Sequence, residues 1–562
     1  MRPTVLNCRW YMEKFLKIRD KDGRVIPLAL NEPQSRLYEQ VKELRRLGIP
    51  VRIVVLKARQ MGFSTVISAM VFWVAATARN VMALIMAHVD DASSNLFAMV
   101  KRYYDNLPAP VKPARKASNA KELVFASSGE DGPRGMDSAI RVAKAGGHGV
   151  GRSFTFRVAH LSEFAFWPGN KLDILNGIMQ AVPDKAGTMV FIESTANGFD
   201  QFKDLWDEAV AAWSRGERDG WCPFFAAWHE MKEYRRKVPP GFKRTEEEET
   251  LAQTYGLDDE QLAWRRWCIK VNCGGDAKRF KQEYPASPEE AFLASGSCWF
   301  NQEAIVLQKE RSRDACRARG RFVYAYDGVT VSNIRWQDDP EGCIRIYREP
   351  GLRVPYVIGG DTAGDSGGEW SDFFAGHVLD NLTGQQAAVL HGKMDEDEYA
   401  RQIYCLGAWY NWALVAVETN FSTHPTKELE RLRYPRMYVR EVADTFTGRT
   451  KKAHGFQTTG VTRPVITAQL QEAMRDEPHL VEDGDTLMEM LSFAKNERGR
   501  PEALPGKHDD LVMALAIAHQ ARGQQLMRLL DVEDEPDRDE EDPVEYEDYM
   551  TGGDAGSGYM DF

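Results

Sequence analysis

The stretch VRIVVLKARQMGFST, residues 51–65, decides the fold of the first half of the chain. Its first six residues are mostly apolar and predict a buried strand. The next residues keep the frame of a phosphate-binding loop, G-x-x-x-x-G-K-[ST], which joins a strand to a helix. Gly62 and Ser64 stand where that loop has its last glycine and its Mg²⁺-binding hydroxyl, but Phe63 replaces the lysine and Lys57 replaces the first glycine. The stretch is therefore either a chance match or a phosphate-binding loop whose cation has moved.

Strands and helices alternate around this loop up to about residue 215. The hydrophobic pattern predicts helices over 64–78 and 91–106 and further strands over 81–87, 154–161 and 188–192. Such alternation predicts a parallel α/β sheet. Ligands of these sheets bind at the carboxyl ends of the strands, which is where the loop lies.

A polar strand end at Ser162 and Glu163 fits the acidic part of a nucleotide-hydrolysing site. Such a site needs a carboxylate at the end of a second strand to hold Mg²⁺ or to polarise water, and Glu163 is placed to orient the attacking water. Ser162 stands where an aspartate more often holds the metal, so metal binding there would be indirect, through water. The alternative is a strand that simply ends in a polar turn.

Two other segments fit the same site. The turn Ser194-Thr195-Ala196-Asn197-Gly198 follows the strand over 188–192 and would report hydrolysis. Gln34, at the start of a helix, has an amide donor and acceptor that suit the edge of an adenine. Each segment also has an ordinary explanation, as a common turn or as a helix-start residue.

In the second half of the chain, acidic residues stand at the ends of predicted elements. Asp361 ends a strand over 355–361, Glu418 ends a strand over 413–418, and Asp509 and Asp510 open an apolar helix. Between them the pattern predicts a glycine-rich loop followed by Asp372, strands over 373–379 and 387–391, and a helix over 397–411.

These acids are expected to meet in one cluster. Adjacent strands would place Asp361 beside Glu418, and the helix would add a third carboxylate. Such a cluster repels itself without cations and suits two Mg²⁺ or Mn²⁺ ions that act on a phosphodiester. For Asp509 and Asp510 the alternative is helix capping at the favourable end of the dipole.

Length and composition limit the class of protein. A chain of 562 residues holds about two to four domains. Its eight cysteines are scattered, so we expect neither a zinc site nor disulfides. We see no signal peptide and no run near the roughly 20 apolar residues of a membrane span.

The charge is distributed unevenly. Residues 531–562 hold 14 acidic residues and one basic residue, and we expect this tail to be disordered. The rest has 71 Lys and Arg against 69 Asp and Glu, so the net charge of −11 does not exclude nucleic acid. The tail is either a solubilising segment or a docking peptide or internal DNA mimic.

Taken together, the motifs resemble the large terminase subunit of tailed double-stranded DNA bacteriophages, over roughly residues 10 to 525. The loop, the strand end HLSE and the turn STANG look like that family's Walker A, Walker B and coupling motifs. Four later segments match in the same order: FKQEYPASPEEAF (280–292), GFQTT (455–459), TRP (462–464) and HDDLVMALAIAH (508–519).

The resemblance implies a fold and a division into domains. It implies an α/β protein with an N-terminal P-loop (ASCE-type) ATPase on a parallel sheet and a C-terminal ribonuclease-H-like nuclease on a mixed sheet. The expected parts are an ATPase core (1–215), a lid or linker (216–300), a connecting hairpin region (301–350), the nuclease (351–530) and the acidic tail (531–562).

The resemblance also assigns residues. ATP would be bound by Gln34, Lys57, Arg59, Gln60, Gly62, Ser64, Thr65, Arg152, Ser194 and Thr195. Lys57 or Arg59 is the phosphate contact, and Arg152, or else Arg141, would complete a neighbouring subunit's site. Glu163 would be catalytic, and Ser64 would bind Mg²⁺. Asp361, Glu418 and Asp509 are carried over as nuclease metal ligands, with Asp510 as the alternative to Asp509 and Asp372 as an outer ligand.

The implied function is ATP-driven movement of double-stranded DNA into a procapsid and cleavage of concatemeric DNA, with Mg²⁺ or Mn²⁺ in the nuclease. The implied partners are the portal protein, the small terminase subunit and further copies in a ring, a pentamer on the portal, with no membrane. The expected location is the host cytoplasm. The alternatives are an ATP-dependent helicase or repair nuclease, and a capsid adaptor whose sites have decayed.

Overall fold

The chain is described from a computed structural model, which covers residues 7–127, 135–146, 154–294, 298–362, 373–443, 450–496 and 499–525. The chain divides into two compact units. The first unit comprises Met1–Glu303 with Leu491–Lys507, and the second comprises Ala304–Met490 with His508–Phe562. The acidic tail lies outside the described residues.

The first unit is an α/β unit. Its strands are β1 (Lys17–Arg19), β2 (Val25–Pro27), β3 (Val51–Lys57), β4 (Met82–Ala87), β5 (Arg115–Ser118), β6 (Glu122–Phe125), β7 (Ala139–Lys144), β8 (Val158–Ser162), β9 (Met189–Ser194) and β10 (Cys222–Ala226). Its helices are α1 (Cys8–Phe15), α2 (Glu32–Arg46), α3 (Phe63–Thr77), α4 (Asp90–Asp105), α5 (Lys171–Met179), α6 (Gln201–Ser214), α7 (Glu246–Tyr255), α8 (Asp259–Val271), α9 (Ala277–Glu283) and α10 (Pro288–Ala294).

Strands β3 to β10 form an eight-stranded sheet in the order β10-β3-β9-β8-β4-β7-β6-β5, and β1 and β2 form a separate antiparallel pair. The pairs from β10 to β7 are parallel, and β6 and β5 are antiparallel. All seven residues of β3 are buried, as expected for a strand covered on both faces. The expectation of a parallel α/β sheet is therefore confirmed.

One expectation for this half needs correction. The strand expected from residue 154 begins at Val158, because the Phe156 N–H donates to the Ala181 carbonyl outside the sheet, at 2.7 Å. Strand β10, which follows residue 215, pairs with β3 and so belongs to this sheet.

The second unit has a mixed sheet. Its strands are β11 (Ala318–Tyr326), β12 (Val331–Asp338), β13 (Ile344–Ile346), β14 (Tyr356–Asp361), β15 (Phe374–Asp380), β16 (Gln386–Gly392), β17 (Leu414–Val417), β18 (Val439–Ala443) and β19 (Thr450–His454). Its helices are α11 (Gln302–Arg311), α12 (Glu396–Trp409), α13 (His424–Arg431), α14 (Thr462–Asp476), α15 (Gly484–Ser492) and α16 (Asp510–Ala521). The short hairpin β20 (Phe493–Lys495) and β21 (Pro501–Ala503) falls within the first unit.

Strands β11 to β17 form a seven-stranded sheet in the order β12-β11-β13-β16-β15-β14-β17, and β18 and β19 form a separate antiparallel pair. Neighbours are antiparallel except for β14 and β17, which are parallel. The expected mixed sheet is confirmed. In the region 301–350, β11 and β12 form an antiparallel pair, and β11 to β13 are strands of this same sheet.

Helix α16 packs directly on β14 because Gly359 has no side chain. A Cβ atom added at Gly359 would lie 2.2 Å from the Ala518 nitrogen and 2.4 Å from the Ala514 oxygen. Close backbone approach of this kind is a standard use of glycine in a strand. It brings the start of α16 to the end of β14, where Asp361 stands.

Within the described segments, no helix is both long and apolar enough to cross a membrane. All eight cysteines lie in the described segments, where none forms a disulfide.

Candidate functional site

The loop between β3 and α3 has the backbone of an anion-binding turn. Gln60 and Gly62 have positive φ angles of 59° and 76°, and Gly62 caps the start of α3. The first N–H groups of a helix have no partner within the helix, so such an end attracts phosphate.

Phe63 occupies the lysine position of the motif but faces the core. It is 1% exposed, and its ring meets that of Phe224 on β10 edge-on, with centroids 5.7 Å apart. The first side chain of α3 therefore points away from the strand ends, and a cation has to come from elsewhere.

Lys57 is the cation that the structure places among acids at the strand ends. Its side chain is 7% exposed, and its Nζ lies 3.3 Å from Glu163 Oε1 and 3.9 Å from Glu193 Oε2. Burial lowers the pKa of Lys57, but the charges of Glu163 and Glu193 outweigh burial and hold the pKa above its ordinary value. Lys57 is therefore protonated.

Arg59 is held on the outer side of the loop. Its guanidinium is 57% exposed and lies 2.8 Å from Glu283 Oε1. Its backbone N–H also donates to the Glu283 carbonyl at 2.8 Å, and its carbonyl accepts from the Tyr234 hydroxyl at 2.7 Å.

The contacts of Arg59 with Glu283 and Tyr234 join the loop to the segment 216–300, which the sequence predicts to be a lid or linker. Tyr234 in turn stacks on Trp264, with centroids 4.3 Å apart. Trp264 is buried in the core, while Arg265 and Arg266 pair with Glu247 and Glu248. The segment thus holds the loop through Tyr234 and Glu283.

Glu163 combines a left-handed backbone with an ion pair. Its φ is 51°, which costs a non-glycine residue strain and is a recurrent feature of functional sites. Its side chain is 29% exposed, so it reaches solvent while it contacts Lys57. This position suits a residue that orients water.

Glu193, on β9 between β3 and β8, is fully buried. Its Oε1 contacts His160 Nε2 at 2.9 Å and accepts from the Ser162 hydroxyl at 3.0 Å. Burial raises the pKa of Glu193, but the charge of Lys57 and then the hydrogen bond from His160, with Ser64 as a smaller influence, lower it to about 2. The carboxylate is therefore ionised.

The turn after β9 is linked to the segment that follows Glu163. Ser194 accepts a hydrogen bond from the Ala165 N–H at 3.1 Å, and the Asn197 amide donates to the Ala165 carbonyl at 3.3 Å. Thr195 is buried in the same turn. A displacement of Glu163 would therefore move this turn through these hydrogen bonds.

Other expected ATP contacts are engaged elsewhere or lie outside the described residues. The Gln34 amide donates to the Gly62 carbonyl at 2.7 Å, and its oxygen accepts from the Asn31 N–H at 3.0 Å, so in this structure it braces the loop as a helix cap. The Thr65 hydroxyl faces Met99 Sδ at 3.6 Å. Arg152 lies outside the described residues, and Arg141 lies 3.8 Å from Glu122.

In the second unit, the structure brings Asp361 and Glu418 together. They end the neighbouring parallel strands β14 and β17, and the Glu418 N–H donates to the Gly360 carbonyl at 2.9 Å. Asp361 is 8% exposed and Glu418 is 3% exposed. Burial, then the charges of Glu418, Asp510 and Asp509, raise the pKa of Asp361 well above its ordinary value.

Asp509 and Asp510 differ in their contacts at the start of α16. Asp510 Oδ2 accepts from the Phe373 N–H at 3.2 Å, beside the end of β14. Asp509 Oδ2 lies 2.5 Å from the Arg463 guanidinium. Asp510 therefore acts on Asp361 more strongly than Asp509 does. Asp372 lies outside the described residues.

This arrangement suits a cation without forming a closed metal site. Over the described ranges, no three His, Cys, Asp or Glu side chains are arranged to hold one ion. The donor set nevertheless fits Mg²⁺ or Mn²⁺, because buried carboxylates that repel one another are stabilised by a hard cation.

The sequence matches no family model and no curated protein. Several solved structures resemble the chain at low identity. The large terminase of bacteriophage HK97 is 11% identical, with a TM-score of 0.46, over 92% of this chain and 99% of that one. A large terminase from a thermophilic bacteriophage, in complex with ADP, is 10% identical, with a TM-score of 0.31, over 87% of this chain and 98% of that one.

The large terminase nuclease from thermophilic phage G20c with bound magnesium is 17% identical, with a TM-score of 0.27, over 40% of this chain and 97% of that one. All three are phage large terminases. At these identities and scores, the function has to be argued from this chain's own sites.

Sequence reasoning missed two acidic residues of these sites. Glu193 stands between the apolar run 188–192 and its turn, and a lone carboxylate there was the available signal. Glu489, on α15, accepts from the Leu511 and Val512 N–H groups at 2.9 and 3.2 Å and so caps α16. Burial, then the charge of Asp510, raises the pKa of Glu489. No local pattern marks Glu489.

Proposed function

We propose that this chain is the ATPase and nuclease subunit of a DNA-packaging motor of the large terminase type. The observation that carries the proposal is the pairing of Lys57 with Glu163, 3.3 Å apart at the ends of two strands of one parallel sheet. A buried lysine and a strained, partly exposed glutamate beside a helix N-terminus are the parts that nucleotide hydrolysis requires.

In the proposed ATPase site, the loop N–H groups bind the phosphates of ATP, and Lys57 turns from its carboxylates to the phosphate oxygens. Glu163, released from Lys57, orients the attacking water. Bound Mg²⁺ would neutralise charge on the phosphates, with Ser64 as its protein hydroxyl. Arg152 or Arg141 of a neighbouring copy would complete the site.

Hydrolysis would be reported through hydrogen bonds that the chain already makes. Ser194 and Asn197 hold the segment after Glu163, so displacement of Glu163 pulls on the turn. Tyr234 and Glu283 link the loop to the segment 216–290, which would move with it. Such motion would act on the DNA backbone, because a motor has to tolerate any sequence.

In the proposed nuclease site, Asp361, Glu418 and one or both of Asp509 and Asp510 hold Mg²⁺ or Mn²⁺. The ions would activate water and stabilise the leaving oxygen of a phosphodiester. The protein's part is to fix the carboxylates at one sheet edge, through the parallel pairing of β14 with β17 and the close packing of α16 on β14.

The proposed partners follow from this function: double-stranded DNA, the portal protein, the small terminase subunit and further copies in a ring, in the host cytoplasm. No second motor domain is found among the described residues, and the two sites retain their charged groups. Both observations favour a packaging motor over a helicase or a decayed adaptor.

DNA-stimulated ATP hydrolysis tests the proposal. E163Q removes the charge that orients water and should lower turnover at least about 100-fold, while ATP still binds. E217Q is the matched control, since Glu217 is an exposed acid that is paired with Arg215 and has no place in the proposed site. Near-normal hydrolysis by folded E163Q would overturn the assignment.

A further inference from the structure

Ser162 and Glu193 face each other across neighbouring strands. Strands β8 and β9 are parallel, and Ser162 is paired in register with Glu193. Because β9 lies between β8 and β3, the Glu193 carboxylate is one strand closer to the phosphate loop than the Ser162 side chain is. Ser162, the position on β8 where an acid is more usual, therefore has the Glu193 carboxylate directly beside it.

One oxygen of Glu193 is fixed by neighbours. Ser162 and His160 both contact Oε1, and His160 is held in turn by the Ser68 hydroxyl, 3.3 Å from its Nδ1. All three residues are buried. This chain of hydrogen bonds sets the orientation of the carboxylate.

The second carboxylate oxygen of Glu193, Oε2, is not held by neighbouring side chains in this way. Judged over the residues that the structure describes, Glu193 Oε2 has no hydrogen-bond partner, although it is inaccessible to solvent. It lies 3.9 Å from Lys57 Nζ, and the Ser64 side chain is a neighbour of the same carboxylate. Buried carboxylate oxygens are costly unless they are paired or bind a cation, so an oriented oxygen with only a long ion pair to Lys57, beside the phosphate loop, points to a ligand.

We propose that Glu193 supplies, from β9, the carboxylate of the metal–nucleotide site that the chain lacks at Ser162. The inference rests on the proposed ATPase function and names a further Mg²⁺-binding residue of that site. Ser162 then serves as a positioning residue, whose hydroxyl orients the Glu193 carboxylate.

The charges of the site agree with this role. Lys57 faces two carboxylates, Glu163 and Glu193, so the three side chains carry a net charge of about −1 when all are ionised. If Lys57 moved from these carboxylates to the phosphates, two acids would remain: Glu163 to orient the water and Glu193 to bind the cation. A purely structural Glu193 would serve only as the counter-ion of buried Lys57.

The experiment measures binding of ADP by calorimetry, with Mg²⁺ and with EDTA. In the wild-type chain, Mg²⁺ should tighten ADP binding, and E193Q should reduce that tightening by about 10- to 100-fold. S162D in the E193Q background places a carboxylate at the conventional position and should restore most of the Mg²⁺ effect. A structural role predicts lower thermal stability for E193Q with an unchanged Mg²⁺ effect.

D200N is the matched control. Asp200 is 1% exposed, and its Oδ2 lies 3.1 Å from the Nζ of the buried Lys171, so it is likewise a buried carboxylate beside a buried lysine. D200N should lose stability but keep the Mg²⁺ effect. If E193Q does not fold, E193D keeps the charge beside Lys57 but withdraws the carboxylate, and should weaken the Mg²⁺ effect.

The outcomes separate the inference from the function on which it rests. Mg²⁺-dependent binding that survives in folded E193Q or E193D overturns the role of Glu193 and leaves the ATPase proposal standing. Failure of S162D to restore the effect also counts against it. A wild-type chain that binds no nucleotide overturns the ATPase function and the inference together.

Discussion

The Phe63 ring meets the Phe224 ring edge-on, 5.7 Å between centroids, at the position where a phosphate-binding loop ordinarily carries its lysine. Both rings are buried in the hydrophobic core between helix α3 and strand β10. The departure from the motif is therefore a packing requirement of this sheet, and Lys57 or Arg59 is the cation that we propose in its place.

Restoring the conventional lysine should harm the protein. F63K replaces a core aromatic ring by an ammonium group and should lower the free energy of unfolding by about 3–5 kcal/mol without raising ATP hydrolysis. Urea unfolding and an ATPase assay measure both effects. F63L, which keeps an apolar side chain, is the control. A stable, more active F63K would show that position 63 faces the phosphates.

Lys57, rather than Arg59, should contact the phosphates. Lys57 is buried beside Glu163, whereas Arg59 is exposed and paired with Glu283. K57M keeps much of the apolar stem and should lower ATP turnover about 100-fold, while R59M should stay within about threefold because exposed ion pairs contribute little. The measurement is turnover at saturating ATP, with thermal unfolding as a check of folding. Equal defects in the two variants would contradict this assignment.

Asp510 should matter more than Asp509 for DNA cleavage. Asp510 raises the pKa of Asp361 more than Asp509 does, and Asp509 is neutralised by Arg463. D510N should reduce Mn²⁺-dependent plasmid cleavage at least about 10-fold more than D509N does. D361N is the positive control, because it removes the central carboxylate. A larger loss of plasmid cleavage in D509N than in D510N would contradict this prediction.

Asp483 should give the second unit a pH-dependent stability. Burial raises the pKa of Asp483, but Arg345, 2.6 Å away, with hydrogen bonds from Thr486 and Tyr347, lowers it to about 2. Because the folded-state pKa is below the ordinary value of 3.8, the contribution is complete above about pH 4 and is lost as pH falls towards 2. The stability difference between wild type and D483N should shrink over that range.

Urea unfolding at pH 7, 4 and 3 measures this difference. D485N is the matched control, since Asp485 lies 3.2 Å from the same arginine but is 64% exposed, and its removal should have little effect at any pH. A wild-type-to-D483N difference that does not change with pH would contradict the ionised pair.

The sequence by itself determined the order of elements and which acids end which strands. The fully buried run 51–57, the polar strand ends at Glu163 and Asp361 and the apolar helix after Asp510 carry their signals in neighbouring residues. Side-chain periodicity and strand ends are local properties, so they can be recognised without a partner element.

Only the tertiary structure decided which groups meet. The strand order puts β9 between β3 and β8, so Glu193 joins Lys57 to Ser162, and the lone carboxylate after the apolar run 188–192 does not by itself reveal these partners. Likewise Gly359 lets α16 pack against β14, and the charges of Asp510 and Asp509 then raise the pKa of Asp361. Strand order and helix packing depend on contacts between residues far apart in the chain, and local sequence patterns do not encode them.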